Sequence, residues 1–74
     1  MAIVDVPAPM AGSVKELLVA VGDKIQSRQE IILIESMKME IPVESPAEGT
    51  VTQILVTAPQ RIEEGQLLLR IETA

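Results

Sequence analysis

Ser36-Met37-Lys38-Met39 places a primary amine between two thioethers, with Glu35 before it and Glu40 after it. An amine of this kind can be acylated, which turns a charged side chain into a neutral amide tethering whatever the acyl group carries. Alkylammonium groups are protonated at neutral pH, so acylation would require a base and an activated acyl donor. Taken alone, a lysine is a solvated charge. Met37 and Met39 suit either of two roles, filling the end of a core or offering a polarisable surface to partners that grip and release. Other chemistry is poorly provided for. Glu35, Glu40 and Glu44 cluster in sequence, but no nucleophile–base pair or metal set accompanies them, and they read as solvated charges on strand faces. Histidine is absent, which removes the commonest general base and the commonest neutral metal ligand. Cysteine is absent too, so neither a disulfide nor a thiol-bound metal can add stability.

What distinguishes Lys38 from Lys15 and Lys24 is its place. A shift of 37 positions lays Val6–Glu35 over Val43–Glu72 without a gap, and ten of the 30 pairs are identical. They include Val6/Val43, Pro9/Pro46, Gly12/Gly49, Val14/Val51, Ile25/Ile62, Gln29/Gln66 and Ile34/Ile71. Unrelated segments would give roughly two identities, so the chain is an internal duplication. Lys38 lies in the short connector between the copies. A pseudo-dyad relating the halves is expected to run through that connector and through the paired chain ends, leaving the lysine alone at one pole.

The elements that must hold it are short. Pro7, Pro9, Gly12, Gly22, Pro42, Pro46, Gly49, Pro59 and Gly65 leave no uninterrupted window for an amphipathic helix. Strands are expected at Ile3–Val6, Gly12–Val19, Glu30–Glu35, Met39–Glu44, Gly49–Val56 and Gln66–Ile71, with shorter pieces around Ile25 and Ile62. Such a pattern indicates a small all-β sandwich or barrel. Either half alone would leave an apolar face and strand edges open, so the halves are expected to pack together and pair strands across the dyad. Glu30–Glu35 and Met39–Glu44 form an antiparallel hairpin around the connector Ser36–Lys38, with Lys38 at or beside the tip. That turn lacks the Gly, Asn or Asp that supply positive φ. Either a functional demand overrides the local rule, or the turn uses αR and β conformations that Ser, Met and Lys tolerate.

Seventy-four residues make one domain, 1–74, close to the lower limit for a self-sufficient core. With no aromatic residue, that core must be Val, Ile, Leu, Ala and Met, with no room for a deep ligand pocket. Six basic residues against eleven acidic ones give a net charge of −5, which disfavours nucleic acid and anionic membrane surfaces. No apolar run is long enough to span a bilayer and no secretory signal is evident, so a cytoplasmic location is expected.

Around Lys38 the chain resembles the biotinyl, or biotin carboxyl carrier, domains of biotin-dependent carboxylases, transcarboxylases and decarboxylases. Ser36-Met37-Lys38-Met39 is similar to their Ala/Ser-Met-Lys-Met signature. Pro7-Ala8-Pro9-Met10-Ala11-Gly12 resembles their opening strand and turn, Val21-Gly22-Asp23-Lys24-Ile25 their Gly-Asp turn, and Ser45-Pro46-Ala47-Glu48-Gly49-Thr50-Val51 their segment after the modified lysine. The resemblance implies a flattened barrel-sandwich of two short antiparallel sheets with pseudo-two-fold symmetry (half-repeats 6–35 and 43–72), the modified lysine on a hairpin turn. It implies covalent biotin on Lys38, with Met37 and Met39 as flanking recognition residues and Glu35 and Ser36 as the approach to the turn. It implies a non-catalytic carrier loaded by a biotin protein ligase. The biotin would take CO2 at a biotin carboxylase and deliver it at a carboxyltransferase or decarboxylase.

Two departures fall in turns: Arg28 stands where the family usually has glycine, and Pro59-Gln60 replaces a Gly-Asp pair in the second copy. No inserted loop of the kind that forms a thumb in some bacterial carriers is present. Two alternatives accompany the carrier. A lipoyl domain shares the duplicated architecture but resembles Asp-Lys-Ala at the tip, where this chain has Met37-Lys38-Met39. An unmodified interaction module would use the acidic surface instead.

Overall fold

The computed structural model describes residues Ala2–Thr73. Eight strands follow one another: β1 Ala2–Pro7, β2 Gly12–Leu17, β3 Lys24–Ile25, β4 Glu30–Ser36, β5 Met39–Glu44, β6 Gly49–Ile54, β7 Gln60–Ile62 and β8 Leu67–Thr73. They form two antiparallel four-stranded sheets, ordered β1-β8-β6-β3 and β5-β4-β2-β7. The fold is thus an all-β sandwich, not a closed barrel. Strands β2 and β6 stop two residues short of the expected Val19 and Val56. There the backbone leaves the ladder, yet both valines stay buried, so the apolar pattern continued past the end of the pairing.

Every sheet draws two strands from each half of the chain, so neither half can complete a sheet alone. The registers repeat as well. Ala2↔Thr73 through Val6↔Leu69 in β1–β8 become Met39↔Ser36 through Val43↔Ile32 in β5–β4 under the same 37-residue shift. Bulges recur at matching sites, setting Lys15 out of the β2–β4 ladder and Thr52 out of β6–β8. Turn chemistry is copied too. Gln29 Oε1 accepts from Gln26 N–H, and Gln66 Oε1 from Glu63 N–H, both at 3.0 Å. The departure at Pro59-Gln60 keeps this logic. Gln60 Oε1 accepts from Thr57 N–H at 2.9 Å where Asp23 Oδ2 accepts from Ala20 N–H at 2.8 Å.

Among the described residues the buried set consists of dyad pairs: Val6/Val43, Ala8/Ser45, Val14/Val51, Val19/Val56, Ile25/Ile62, Ile31/Leu68, Ile32/Leu69 and Ile34/Ile71. Ser45 is its one polar member. Its hydroxyl donates to the Ala47 carbonyl at 2.6 Å and accepts from Ala47 N–H, so burial leaves no orphan.

The symmetry corrects one expectation. A point on a two-fold axis is its own mate, but the mate of the β4–β5 turn is the pair of chain ends, Ala2 and Thr73. The turn therefore lies off the axis. The axis runs instead through a groove lined by the exchanging pairs Val6/Val43, Pro7/Glu44 and Pro9/Pro46. From there β5 carries the turn one way and β1 carries the chain ends the other. Five strand residues at about 3.3 Å each put either end about 17 Å out. That matches a molecule of 37 × 17 × 17 Å. Lys38 still stands at a pole, with the chain ends at the other.

Candidate functional site

Ser36 and Met39 make the last pair of the β4–β5 hairpin, which leaves a two-residue loop, Met37-Lys38, shorter than the expected three. Both loop residues have positive φ, +52° and +67°. That is the pattern of a type I′ turn, whose twist matches the flanking strands and which normally takes Asn-Gly. An L side chain there costs roughly 1–2 kcal/mol per residue. The turn therefore does not use the αR and β conformations that Met and Lys tolerate. The core-filling alternative for the methionines fails as well: Met37 is 92% and Met39 63% exposed. Lys38 is exposed between them. Among the described residues it takes part in none of the ion pairs, which belong to Lys15 and Arg70.

Directly beneath the turn, Glu40, Glu35, Ser13 and Arg61 form one row across β5, β4, β2 and β7. Paired residues share a face, and this row faces outward; the next one places Val14 and Ile34 in the core. Glu35, Ser36, Lys38 and Arg61 line one shallow open cleft. Lys15 stands out of the ladder at its bulge and hydrogen-bonds Glu40, with Glu35 at 3.9 Å. The bond to Glu40 and the attraction of that carboxylate raise the Lys15 ammonium above its ordinary 10.5.

Gly12 seats the hairpin. A Cβ there would come within 2.7 Å of the Glu35 carbonyl oxygen, so only glycine allows β2 to approach β4 this closely beside the turn. Its mate Gly49 is tighter still, 2.4 Å from the Glu72 carbonyl. Arg28 adopts φ +70° where its mate Gly65 has +85°. Its N–H still bonds the Ser45 carbonyl at 2.8 Å, as Gly65 bonds Ala8 at 2.9 Å. The departure costs strain but preserves the turn.

Glu35, Ser36, Met37, Lys38 and Met39 thus stand together at one end of the molecule. Sequence reasoning treated Lys15 only as a competing lysine and missed its pairing with Glu40. The available signal was asymmetry: Lys15 and Glu40 are charged where their mates, Thr52 and Ile3, are not. Among the described residues, no group of three or more acidic side chains is placed to hold a metal.

Comparison with known proteins adds four findings. Residues 3–71 match the profile of the biotin/lipoyl family described as "Biotin-requiring enzyme". A biotinylated protein of Mycobacterium tuberculosis is 51% identical over 39 residues, 53% of this chain and 55% of that protein. The 1.3S subunit of a methylmalonyl-CoA carboxyltransferase from Propionibacterium freudenreichii is 44% identical over 36 residues, 49% of this chain and 29% of the subunit. The alignments thus span about half or less of these relatives. Among solved structures, the urea carboxylase of Kluyveromyces lactis superposes with a TM-score of 0.90 at 28% identity. That match covers 97% of this chain and 6% of the carboxylase.

Proposed function

The chain belongs to the biotin-requiring enzyme family, and on that premise we propose that it is a biotin carboxyl carrier with Lys38 as the attachment residue. The observation that carries the proposal is the exposed lysine on a left-handed turn at one pole of the sandwich. Amide formation requires a primary amine with open approach and no competing partner, and Lys38 fits that requirement. When bound, biotin supplies a ureido nitrogen that takes up and gives back a carboxyl group.

The chain's own residues supply presentation. The I′-like turn holds Lys38 exposed at the pole, and the sandwich keeps bulk behind it. An arm fixed at its base reaches the catalytic sites at high effective concentration, because encounter no longer depends on free diffusion. Met37 and Met39 offer apolar, adaptable surface on either side of the amine to the proteins that load and use it. Those partners are a biotin protein ligase, a biotin carboxylase, and a carboxyltransferase or decarboxylase. Relatives described as biotinylated and as a carboxyltransferase subunit support biotin over lipoate.

The test is to incubate the protein with ligase, biotin and MgATP, then with a biotin carboxylase and radiolabelled bicarbonate. Label is expected on streptavidin-retained wild-type protein and absent from Lys38→Arg. Streptavidin-retained wild-type protein without label would contradict the carrier role.

A further inference from the structure

We infer that Lys15 is a positioning residue for the Lys38 turn, holding the carboxylates of Glu40 and Glu35 away from the acceptor amine. The inference rests on the attachment proposal above and on three observations. First, two carboxylates stand in the row under the turn, and Glu35 lines the same cleft as Lys38. Left alone, they would attract the Lys38 ammonium and fold it back onto the sheet. Second, both are engaged elsewhere: Lys15 hydrogen-bonds Glu40 and lies 3.9 Å from Glu35. The raised affinity of Lys15 for its proton, caused first by Glu40, agrees with that geometry. Third, among the described residues the Lys15–Glu40 pair has no counterpart at the opposite pole. Under the 37-residue shift Lys15 becomes Thr52 and Glu40 becomes Ile3, so the opposite pole has neither the clamp cation nor its hydrogen-bonded carboxylate. Thr52 instead bonds the Arg70 carbonyl at 3.3 Å. The ion pair beside the Thr52 bulge, Arg70 to Asp5 at 3.1 Å, joins other positions, the mates of Leu33 and Pro42.

The bulge explains the reach. Placing Lys15 out of the ladder lets its side chain approach β5 across β4 without disturbing the Ser13↔Glu35 and Val14↔Ile34 pairs. Lys15 thereby offsets one of the two negative charges and is itself occupied, which also disfavours it as a competing acceptor.

The test compares wild type, Lys15→Met, Lys15→Arg and the double variant Lys15→Met/Glu40→Gln, each checked for folding by circular dichroism. Two readouts are taken: kcat/KM for ligase-catalysed biotin transfer, and the Nζ nitrogen shift of Lys38 in unmodified protein. For Lys15→Met, transfer is expected to fall about two- to five-fold, as an exposed ion pair competes for the amine. The Lys38 nitrogen should shift as it gains a carboxylate partner, and added salt should reduce the loss. Lys15→Arg should behave as wild type, and removing Glu40 in the double variant should restore much of the rate. An unchanged rate and nitrogen shift in folded Lys15→Met would overturn the inference, as would a loss that Glu40→Gln fails to relieve. Failure of wild-type protein to be biotinylated would instead overturn the attachment proposal, and the nitrogen shift would still decide the role of Lys15.

Discussion

Lys38 and Met37 occupy backbone conformations that their side chains disfavour, and so does Arg28 far from them in the fold. The three are not equivalent. Arg28 sits where its mate is Gly65, so Arg28→Gly should restore the turn's preferred residue. Relief of left-handed strain outweighs the extra freedom glycine gives the unfolded chain, and stability should rise by about 1 kcal/mol in urea unfolding. Met37→Gly should stabilise by a similar amount while removing the apolar surface beside the amine, so stability and biotin loading should move apart. Lys15 adds a pH signature. Its folded value is raised above the ordinary 10.5, so its contribution is fully present below that pH and is lost as pH climbs through the raised value. Lys15→Met should therefore flatten the alkaline limb of a stability-versus-pH curve above 10.5. At this scale the motif was legible because residue types alone carry it. The φ values were not, since Met and Lys in a I′ position violate the very preference by which such turns are read.

The hairpin of β4 and β5 is held by its contact with β2, and Gly12 sets how close that contact is. Gly12→Ala forces a Cβ onto the Glu35 carbonyl, and Gly49→Ala does the same at Glu72. Each should destabilise by about 1–3 kcal/mol, the usual cost of overpacking. Only Gly12→Ala displaces the strand end that bears Lys38. It should therefore slow biotin transfer at temperatures where both variants are folded, whereas Gly49→Ala should not. Chemical denaturation followed by ligase kinetics separates the two effects. Strand existence was legible from the breakers and the β-branched runs. Strand ends at Leu17 and Ile54 were less so, because Val19 and Val56 bury apolar side chains from outside the ladders, and hydropathy cannot distinguish burial by pairing from burial by a crossing loop.

Across the whole molecule, the 37-residue repeat made the architecture legible, since ten identities fixed which positions must be mates. The place of the axis was not legible. Symmetry at the sequence centre suggests a central axis, but the strands exchange between halves, and the turn's true mate is the opposite pole. The buried pairs also make a prediction. Ile34 and Ile71 are mates with 0% exposure, so Ile34→Ala and Ile71→Ala should each cost about 2–5 kcal/mol and agree closely with one another. A large difference in their unfolding free energies would mean that the halves do not share one core. Among the described residues Lys38 has no mate under the 37-residue shift. The account is tested most directly by intact-mass spectrometry of wild type and Lys38→Arg after exposure to biotin ligase, biotin, lipoate and MgATP. It predicts one biotinyl increment on the wild type, mapped by peptide to Lys38, and none on Lys38→Arg. A lipoyl increment, a biotin on Lys15 or Lys24, or an unmodified wild type would contradict it.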